Sequence, residues 1–327
     1  MSRYRVEVVE VTSRPHPNAD SLVVVDIWGY TCVVRGAEFP PGRTALAAYI
    51  PPESLVPVAR PEFAFLKDKA NAEGQARIKV VRLRGTVSQG LLIPARPGWS
   101  LGQDVAEELG ATHYEPPLPL STGGEDETPP PGKRPKFDVE HWRRYRGLLV
   151  PGEEVLVSEK VHGTNARYCF VDGRMRCGSH ANWKKFNPVL SVYWRALESN
   201  PEVRDFCIAH EDLTVYAEVY GQVQDLKYGA GRNEVRIVVF DLFCEEGWVP
   251  ALEARELGPG LPWVPTVYRG AYDPARVEAM AEGKSLMPGA DHIREGIVVK
   301  PLIERSDADI GRVCLKIIGN AYLARAE

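Results

Sequence analysis

Residues 111–136 divide this chain of 327 residues into two parts. Seven prolines fall between Pro116 and Pro135, among Ser121, Gly123, Gly124, Glu125, Asp126 and Glu127. Such a stretch cannot bury enough apolar surface to repay the entropy of ordering it, so it reads as a linker. Single cores rarely grow beyond about 250–300 residues, which favours the same division. The expected organisation is a module over 1–110, a linker over 111–136 and a second domain over 137–327. The linker ends on Lys133, Arg134 and Lys136, which read as a solvated charge run.

Ahead of the linker the pattern is one of short strands and turns. Strands are expected at 6–11, 22–27, 30–34, 44–50, 78–83 and 89–93, with a hairpin across Gly29 and a turn cluster at Pro15-His16-Pro17-Asn18-Ala19-Asp20. That spacing predicts a small closed barrel. Behind the linker Asp138 is a candidate N-cap for a short helix over 140–145. Strands are expected at 154–157, 166–171, 215–219, 236–243, 296–300 and 312–317, with helices at 188–198, 203–211 and 274–282. The second domain is thus α+β, built on antiparallel sheet.

Composition limits the partners. A net charge of −4 with 26% charged residues gives no global field for a polyanion, so a nucleic-acid partner would be met by local basic patches. No run reaches the ~18 apolar residues that cross a bilayer, and the N-terminus runs directly into a strand pattern, so neither a membrane partner nor a signal peptide is expected. The six cysteines form no Cys-x-x-Cys pair. They read as buried free thiols in a reducing cytoplasm, and a monomer is the default expectation.

The residues that promise chemistry start at Glu159-Lys160-Val161-His162-Gly163-Thr164-Asn165, directly after the apolar run Val155-Leu156-Val157. A lysine at the mouth of a buried strand becomes nucleophilic when burial or a neighbouring cation lowers its pKa. Gly163 would let the backbone approach a ligand. A lone Lys-x-x-Gly is usually a solvated turn, but four more elements follow. Glu218 sits in Val215-Tyr216-Ala217-Glu218-Val219-Tyr220-Gly221, on the face opposite Val215, Ala217 and Val219. Asp241 interrupts the apolar run Ile237-Val238-Val239-Phe240-Asp241-Leu242-Phe243. Glu295 and Lys300 flank Gly296-Ile297-Val298-Val299, and Lys316 lies in Val313-Cys314-Leu315-Lys316-Ile317. Carboxylates and lysines converging on one pocket suit phosphates and a divalent metal.

Taken together these five motifs, in this order, resemble the covalent nucleotidyltransferase superfamily, and most closely ATP-dependent RNA ligases of the phage RNA ligase 2 type. The Pro-His-Pro-Asn-Ala-Asp-Ser-Leu segment resembles the opening of tRNA-binding OB-fold modules. An OB module ahead of the transferase, with the chain ending at Glu327, is similar to the Deinococcus-type RNA ligase. The resemblance implies a fold in two parts: an N-terminal OB-like β-barrel and an antiparallel-sheet nucleotidyltransferase domain. It implies ATP with Mg²⁺ or Mn²⁺ as cofactors. The implied partner is RNA with 3′-OH and 5′-phosphate ends, met at nicks in a duplex during repair.

Residue by residue, the resemblance implies that Lys160 is the nucleophile that takes AMP. It places Glu159 at the adenine edge and His162 near the phosphates. Asn165 would orient phosphate or metal-bound water, and Glu218 would contact the ribose or metal. Phe240 would stack on adenine with Asp241 as a supporting or metal contact. Glu295 would bind the metal, Lys300 would support the phosphate site and Lys316 would contact the α-phosphate. Lys300 and Lys316 would also lower the Lys160 pKa.

Two positions depart from the phage-type pattern. Cys314 stands where a first motif lysine is usual, leaving Lys316 alone unless Lys300 or Arg312 compensates. An arginine expected after the nucleophile is not in place. Arg176, Lys184 and Lys185 are the candidates for it, as contacts to RNA or its 5′-phosphate. The alternatives are a DNA ligase or GTP-using capping-type enzyme, against which the absent downstream OB domain counts, and a non-catalytic RNA-binding protein, against which the full residue set counts.

Overall fold

The structure, a computed structural model, describes residues 4–114 and 124–325. The chain divides into two compact units, Arg3–Pro116 with the last residues of the chain, and Pro117–Tyr322. Among the described residues no helix is long and apolar enough to cross a membrane.

In the first unit, β1 (Glu7–His16), β2 (Ala19–Ile27), β3 (Tyr30–Arg35) and β4 (Thr44–Ile50) precede the short β5 (Ser54–Pro57) and β6 (Gln75–Ile78). Then come β7 (Val81–Leu83), β8 (Thr86–Ser88), β9 (Leu91–Pro94), a one-turn helix α1 (Ala106–Leu109) and β10 (Thr112–His113). The main sheet runs β3-β2-β1-β4-β9. The edge strand β3 is tied to the segment leading from β8 into β9, where the Gln89 amide donates to the Thr31 carbonyl at 2.7 Å and the Val33 amide to Ser88 Oγ at 2.9 Å. One apolar cluster packs Val9, Val11, Val23, Val25 and Tyr49 together. A second joins Val6, Val8, Ile50, Phe63 and Leu109. The strand expected over 78–83 is broken: β6 ends at Ile78, and Val81 opens a separate hairpin, β7–β8.

The second unit contains β11 (Asp126–Glu127), β12 (Glu140–His141), α2 (Trp142–Tyr145), β13 (Glu154–Lys160), β14 (Thr164–Val171), β15 (Arg174–Ser179) and β16 (Trp183–Lys184). After α3 (Val192–Glu198) and α4 (Pro201–Ala209) come β17 (Thr214–Gly221), β18 (Val235–Phe243), α5 (Ala251–Leu257), β19 (Thr266–Ala271) and α6 (Pro274–Ala279). The chain then forms β20 (Gly296–Pro301), β21 (Ser306–Asp307), β22 (Gly311–Arg312), β23 (Leu315–Ile318) and α7 (Asn320–Leu323). Two large sheets result, ordered β11-β16-β15-β14-β17-β18 and β12-β23-β20-β13-β19.

Strand alternation gives each sheet one core face. Ala166, Tyr168, Val215, Ala217 and Val219 pack under α3 and α4. Val155, Val157, Ile297, Val299, Leu315 and Ile317 pack against Trp142, Tyr272 and Val277. The polar residues of the same strands are left on the opposite faces.

Three further expectations need correction. Asp138 caps no helix: α2 begins after His141, whose side chain makes no capping bond, and Asp138 instead pairs with His180 at 3.1 Å. The 312–317 strand is interrupted at Val313 and Cys314, giving β22 and β23. The 111–136 segment is not a free linker at its ends. Thr112 and His113 pair with β5, and Asp126 and Glu127 form the edge strand β11 on β16. The Arg134 carbonyl accepts from Arg167 Nη1, and the Pro135 carbonyl from the Tyr216 hydroxyl at 2.6 Å. Apolar composition could not reveal this, because backbone carbonyls and carboxylates hold the segment. Its middle, 115–123, lies outside the described residues.

Candidate active site

Lys160 is the last residue of β13, a central strand paired on both sides. Register aligns Ser158 with Val298 and Val298 with Lys316, while Lys160 opposes Gly296 and Leu156 opposes Lys300. Lys160, Lys300 and Lys316 therefore share the face opposite the apolar cluster. On the other sheet Asn165 opposes Glu218, on the face away from Ala217 and Val219.

Lys160 Nζ donates to Glu295 Oε1 at 2.8 Å. Burial disfavours its charge, but the Glu295 and Glu218 carboxylates outweigh burial and raise the Lys160 pKa. The expectation that neighbouring cations leave Lys160 partly deprotonated is thus reversed in this pocket. Its companion Lys316 is the lysine whose pKa falls, through burial first and then the Lys160 cation. Burial also pushes the Glu218 carboxyl up to about 8, although Lys160 opposes the rise. Glu218 Oε1 accepts from the Gly163 amide at 3.0 Å. Gly163 is required for a reason the sequence hid. A Cβ there would stand 2.2 Å from the Val219 carbonyl oxygen, so the close approach is to β17 and not to a ligand.

His162 is held on both ring nitrogens. Nε2 is 2.8 Å from Asp225 Oδ1, and Nδ1 is 3.1 Å from the Tyr322 hydroxyl. Its backbone amide donates to the Tyr228 hydroxyl at 2.7 Å. Glu159 is buried, with Oε1 accepting from Ser285 Oγ at 2.5 Å and Oε2 from the Leu286 amide at 2.6 Å.

Asp241 does not stand as a metal ligand. Lys300 Nζ donates to its Oδ1 at 2.8 Å, and Arg312 grips both oxygens at 2.7 and 3.1 Å. Burial would raise the Asp241 pKa, but Arg312 and Lys300 overcome it and lower the value. Arg312 also binds Glu304 and lies 4.3 Å from the Trp248 ring centroid. Lys300 and Arg312 are therefore neutralised, and neither substitutes for the lysine replaced by Cys314. Lys316 enters no ion pair among the described residues. Burial pushes the Cys314 thiol up to about 11, so it is no nucleophile.

A bulge places Phe240. Tyr216 opposes Asp241 and Ala217 opposes Val239, so Phe240 is an extra residue on β18. Its ring lies 4.5 Å from that of Phe137, at 47°.

The three cations expected to meet RNA are occupied. Arg176 Nε is 2.9 Å from Glu127, Lys184 Nζ 2.5 Å from Asp126 and Lys185 Nζ 2.7 Å from Glu125. Arg176 is moreover buried. The edge strand β11 thus takes over the surface on which a backbone contact was expected.

Sequence reasoning missed Asp225, Tyr228 and Tyr322 around His162, Ser285 behind Glu159, and Phe137, Trp248 and Glu304 around Phe240 and Arg312. None of these carried a signal in the sequence, whereas Arg312 was legible as a cation near Cys314.

A metal requires donors. Among the described residues no three His, Cys, Asp or Glu side chains gather as a metal cluster. Two buried acceptors, Glu295 Oε2 and Asn165 Oδ1, lack a hydrogen-bond partner. With Glu218 they fit a hard cation whose remaining ligands are phosphate oxygens and water.

Comparison with known proteins agrees with this geometry. An RNA ligase family model matches residues 153–318, the segment that carries Lys160, Glu218, Glu295, Lys300 and Lys316. The chain belongs to the RNA ligase family. An OB-fold domain model matches residues 5–95 of this RNA ligase. No curated protein sequence matches it. Among solved structures, a Naegleria gruberi RNA ligase mutant with AMP and Mn superposes with a TM-score of 0.82 at 23% identity, covering 98% of both chains. The same Naegleria enzyme with PPi gives 0.82 at 24% identity, again over 98% of both chains. Another mutant, with ATP and Mn, gives 0.81 at 23% identity and the same coverage. The shared architecture therefore spans both units of this RNA ligase.

Proposed function

We propose that this RNA ligase uses ATP and forms a covalent AMP intermediate on Lys160. The supporting observation is the placement of Lys160: at the end of a buried strand, 2.8 Å from Glu295, with Glu218 and Lys316 beside it. The Lys160 ammonium first passes a proton to Glu295 Oε1, the acceptor in contact with it, and the neutral amine attacks the α-phosphorus. A P–N bond forms, the bond to the bridging oxygen breaks and pyrophosphate leaves, while the second proton of the attacking nitrogen passes to solvent. Lys316 lies on the same face to offset charge on the α-phosphate. His162, fixed by Asp225 and Tyr322, is assigned to the departing phosphates. Phe240 offers a flat face for adenine, and Glu159 an acceptor for its edge. AMP then moves to an RNA 5′-phosphate, and a 3′-OH displaces it.

Glu218, Glu295 and Asn165 would hold Mg²⁺ or Mn²⁺, which supplies charge neutralisation for the phosphates. The Naegleria enzymes of the same fold were solved with Mn and ATP or AMP, which supports this choice. We further propose that the substrate is nicked duplex RNA, that repair of such nicks is the role, and that the chain acts as a monomer in a reducing cytoplasm. All six cysteines are free thiols, five of them buried, which suits that compartment.

Incubation with α-labelled ATP and Mn²⁺ is expected to leave an acid-labile label on the protein, with none from GTP. Lys160→Met should take no label while remaining folded by circular dichroism. Label on Lys160→Met, or none on the wild type, would overturn the reading.

A further inference from the structure

We propose that the β7–β8 hairpin of the first unit is a contact for the RNA phosphate backbone, made by Arg82 and Arg84. This rests on the RNA ligase reading above and adds where the first unit meets its substrate.

The sequence from Gly74 to Gln103 contains no Asp or Glu, yet carries Arg77, Lys79, Arg82, Arg84 and Arg96. Two of these cations serve the fold. Arg77 pairs with Glu53, and Arg96 with Glu62 and Glu108. Arg82 and Arg84 differ: both are exposed, and among the described residues neither enters an ion pair. Arg82 Nη1 donates to the Gly85 carbonyl at 3.0 Å, but neither guanidinium meets a carboxylate among the described residues; displayed on a short arm they suit a polyanion, and phosphate accepts the guanidinium fork in bidentate fashion. In the second unit, by contrast, the cations Arg176, Lys184 and Lys185 already hold carboxylates.

The arm is built to hold its shape. Arg84 and Gly85 form its two-residue turn, with φ of +48° and +92°. Both angles are those of the tight hairpin turn in which Asn-Gly is favoured. An arginine at the first position is a poor conformational choice. Strained positions of this kind concentrate at functional sites, where the side chain matters more than local comfort. The β1–β2 turn braces the arm. Asn18 Nδ2 donates to the Arg84 carbonyl at 3.1 Å. His16 Nδ1 accepts from the Asn18 amide at 3.0 Å, so Nε2 carries the proton toward the Leu83 carbonyl at 3.3 Å. The Pro-His-Pro-Asn turn therefore meets the hairpin backbone and leaves contact with RNA to the arginines.

The test is binding of a fluorescein-labelled nicked RNA duplex, read by anisotropy over a series of salt concentrations. Each phosphate contact adds about one unit to the slope of log K against log salt. Arg82→Ala/Arg84→Ala should lower that slope by about two, weaken binding up to ~60-fold at 0.1 M salt, and leave labelling of Lys160 from ATP unchanged. Arg82→Lys/Arg84→Lys should keep the wild-type slope. Arg84→Asn should raise the Tm and still lower the slope by about one. A double alanine variant with the wild-type slope would overturn the proposal. A wild type that takes no label defeats the ATP reading instead, and the slope still decides the hairpin.

Discussion

Asp241→Ala is expected to destabilise the second unit by about 3–5 kcal/mol, the usual cost of removing one partner from a buried ion pair. Asp241 is 1% exposed and neutralises both Lys300 and Arg312. Without it, two largely buried cations would face each other, with Lys300 keeping only a 3.4 Å bond to the Phe240 carbonyl. Urea unfolding followed by tryptophan fluorescence would measure the loss, since Trp248 lies against Arg312. A cost under about 1 kcal/mol, the ordinary worth of an exposed pair, would show that the trio carries little. The pH dependence has a definite sign. The folded-state pKa of Asp241 is depressed, so its contribution is fully present above the unfolded value near 3.9. The gap between wild type and Asp241→Asn should stay flat across neutral pH and close as pH falls below about 4. The same cluster bears on Cys314: a lysine there would add a third cation to the two carboxylates Asp241 and Glu304.

Lys316→Ala should slow formation of the covalent AMP by about 10²–10³-fold, the usual loss when one preorganised charge is removed from a transition-state site. The magnitude is expected to be large because no other cation can move in. Lys300 and Arg312 are locked on Asp241, and Lys160 is itself the proposed nucleophile. Single-turnover labelling from ATP would give the rate. Lys316→Arg should recover part of it, and a loss of less than about fivefold would remove Lys316 from the phosphate site.

Much of this site was legible in the chain because strand alternation carries it. A lysine or glutamate every second residue amid Val and Ile can face only one way, so Lys160, Glu218, Lys300 and Lys316 were assignable to site faces. What a residue does there depends on its neighbours across the strand, and sequence is silent on those. Asp241 and Lys300 looked like metal and phosphate groups, yet they satisfy each other. Phe240 follows from a bulge, which breaks the alternation that made the rest readable. Asp225 and Tyr322 reach His162 from 63 and 160 residues away. In the first unit the strands were found from turn residues, whereas the β7–β8 hairpin was merged into a neighbour because Val80 and Val81 continue its apolar pattern.

The edge strand β11 has a practical consequence for anyone isolating the catalytic unit. A fragment beginning at Phe137, the boundary suggested by composition, would lose Glu125, Asp126 and Glu127 together with the carbonyls of Arg134 and Pro135. It would uncover the backbone edge of β16, strip the counter-charge from buried Arg176 and remove the carbonyls to which Arg167 Nη1 and the Tyr216 hydroxyl donate. Expressed alone, it should be poorly soluble, and the chain must be cut before Gly124 for the catalytic unit to be obtained in usable form.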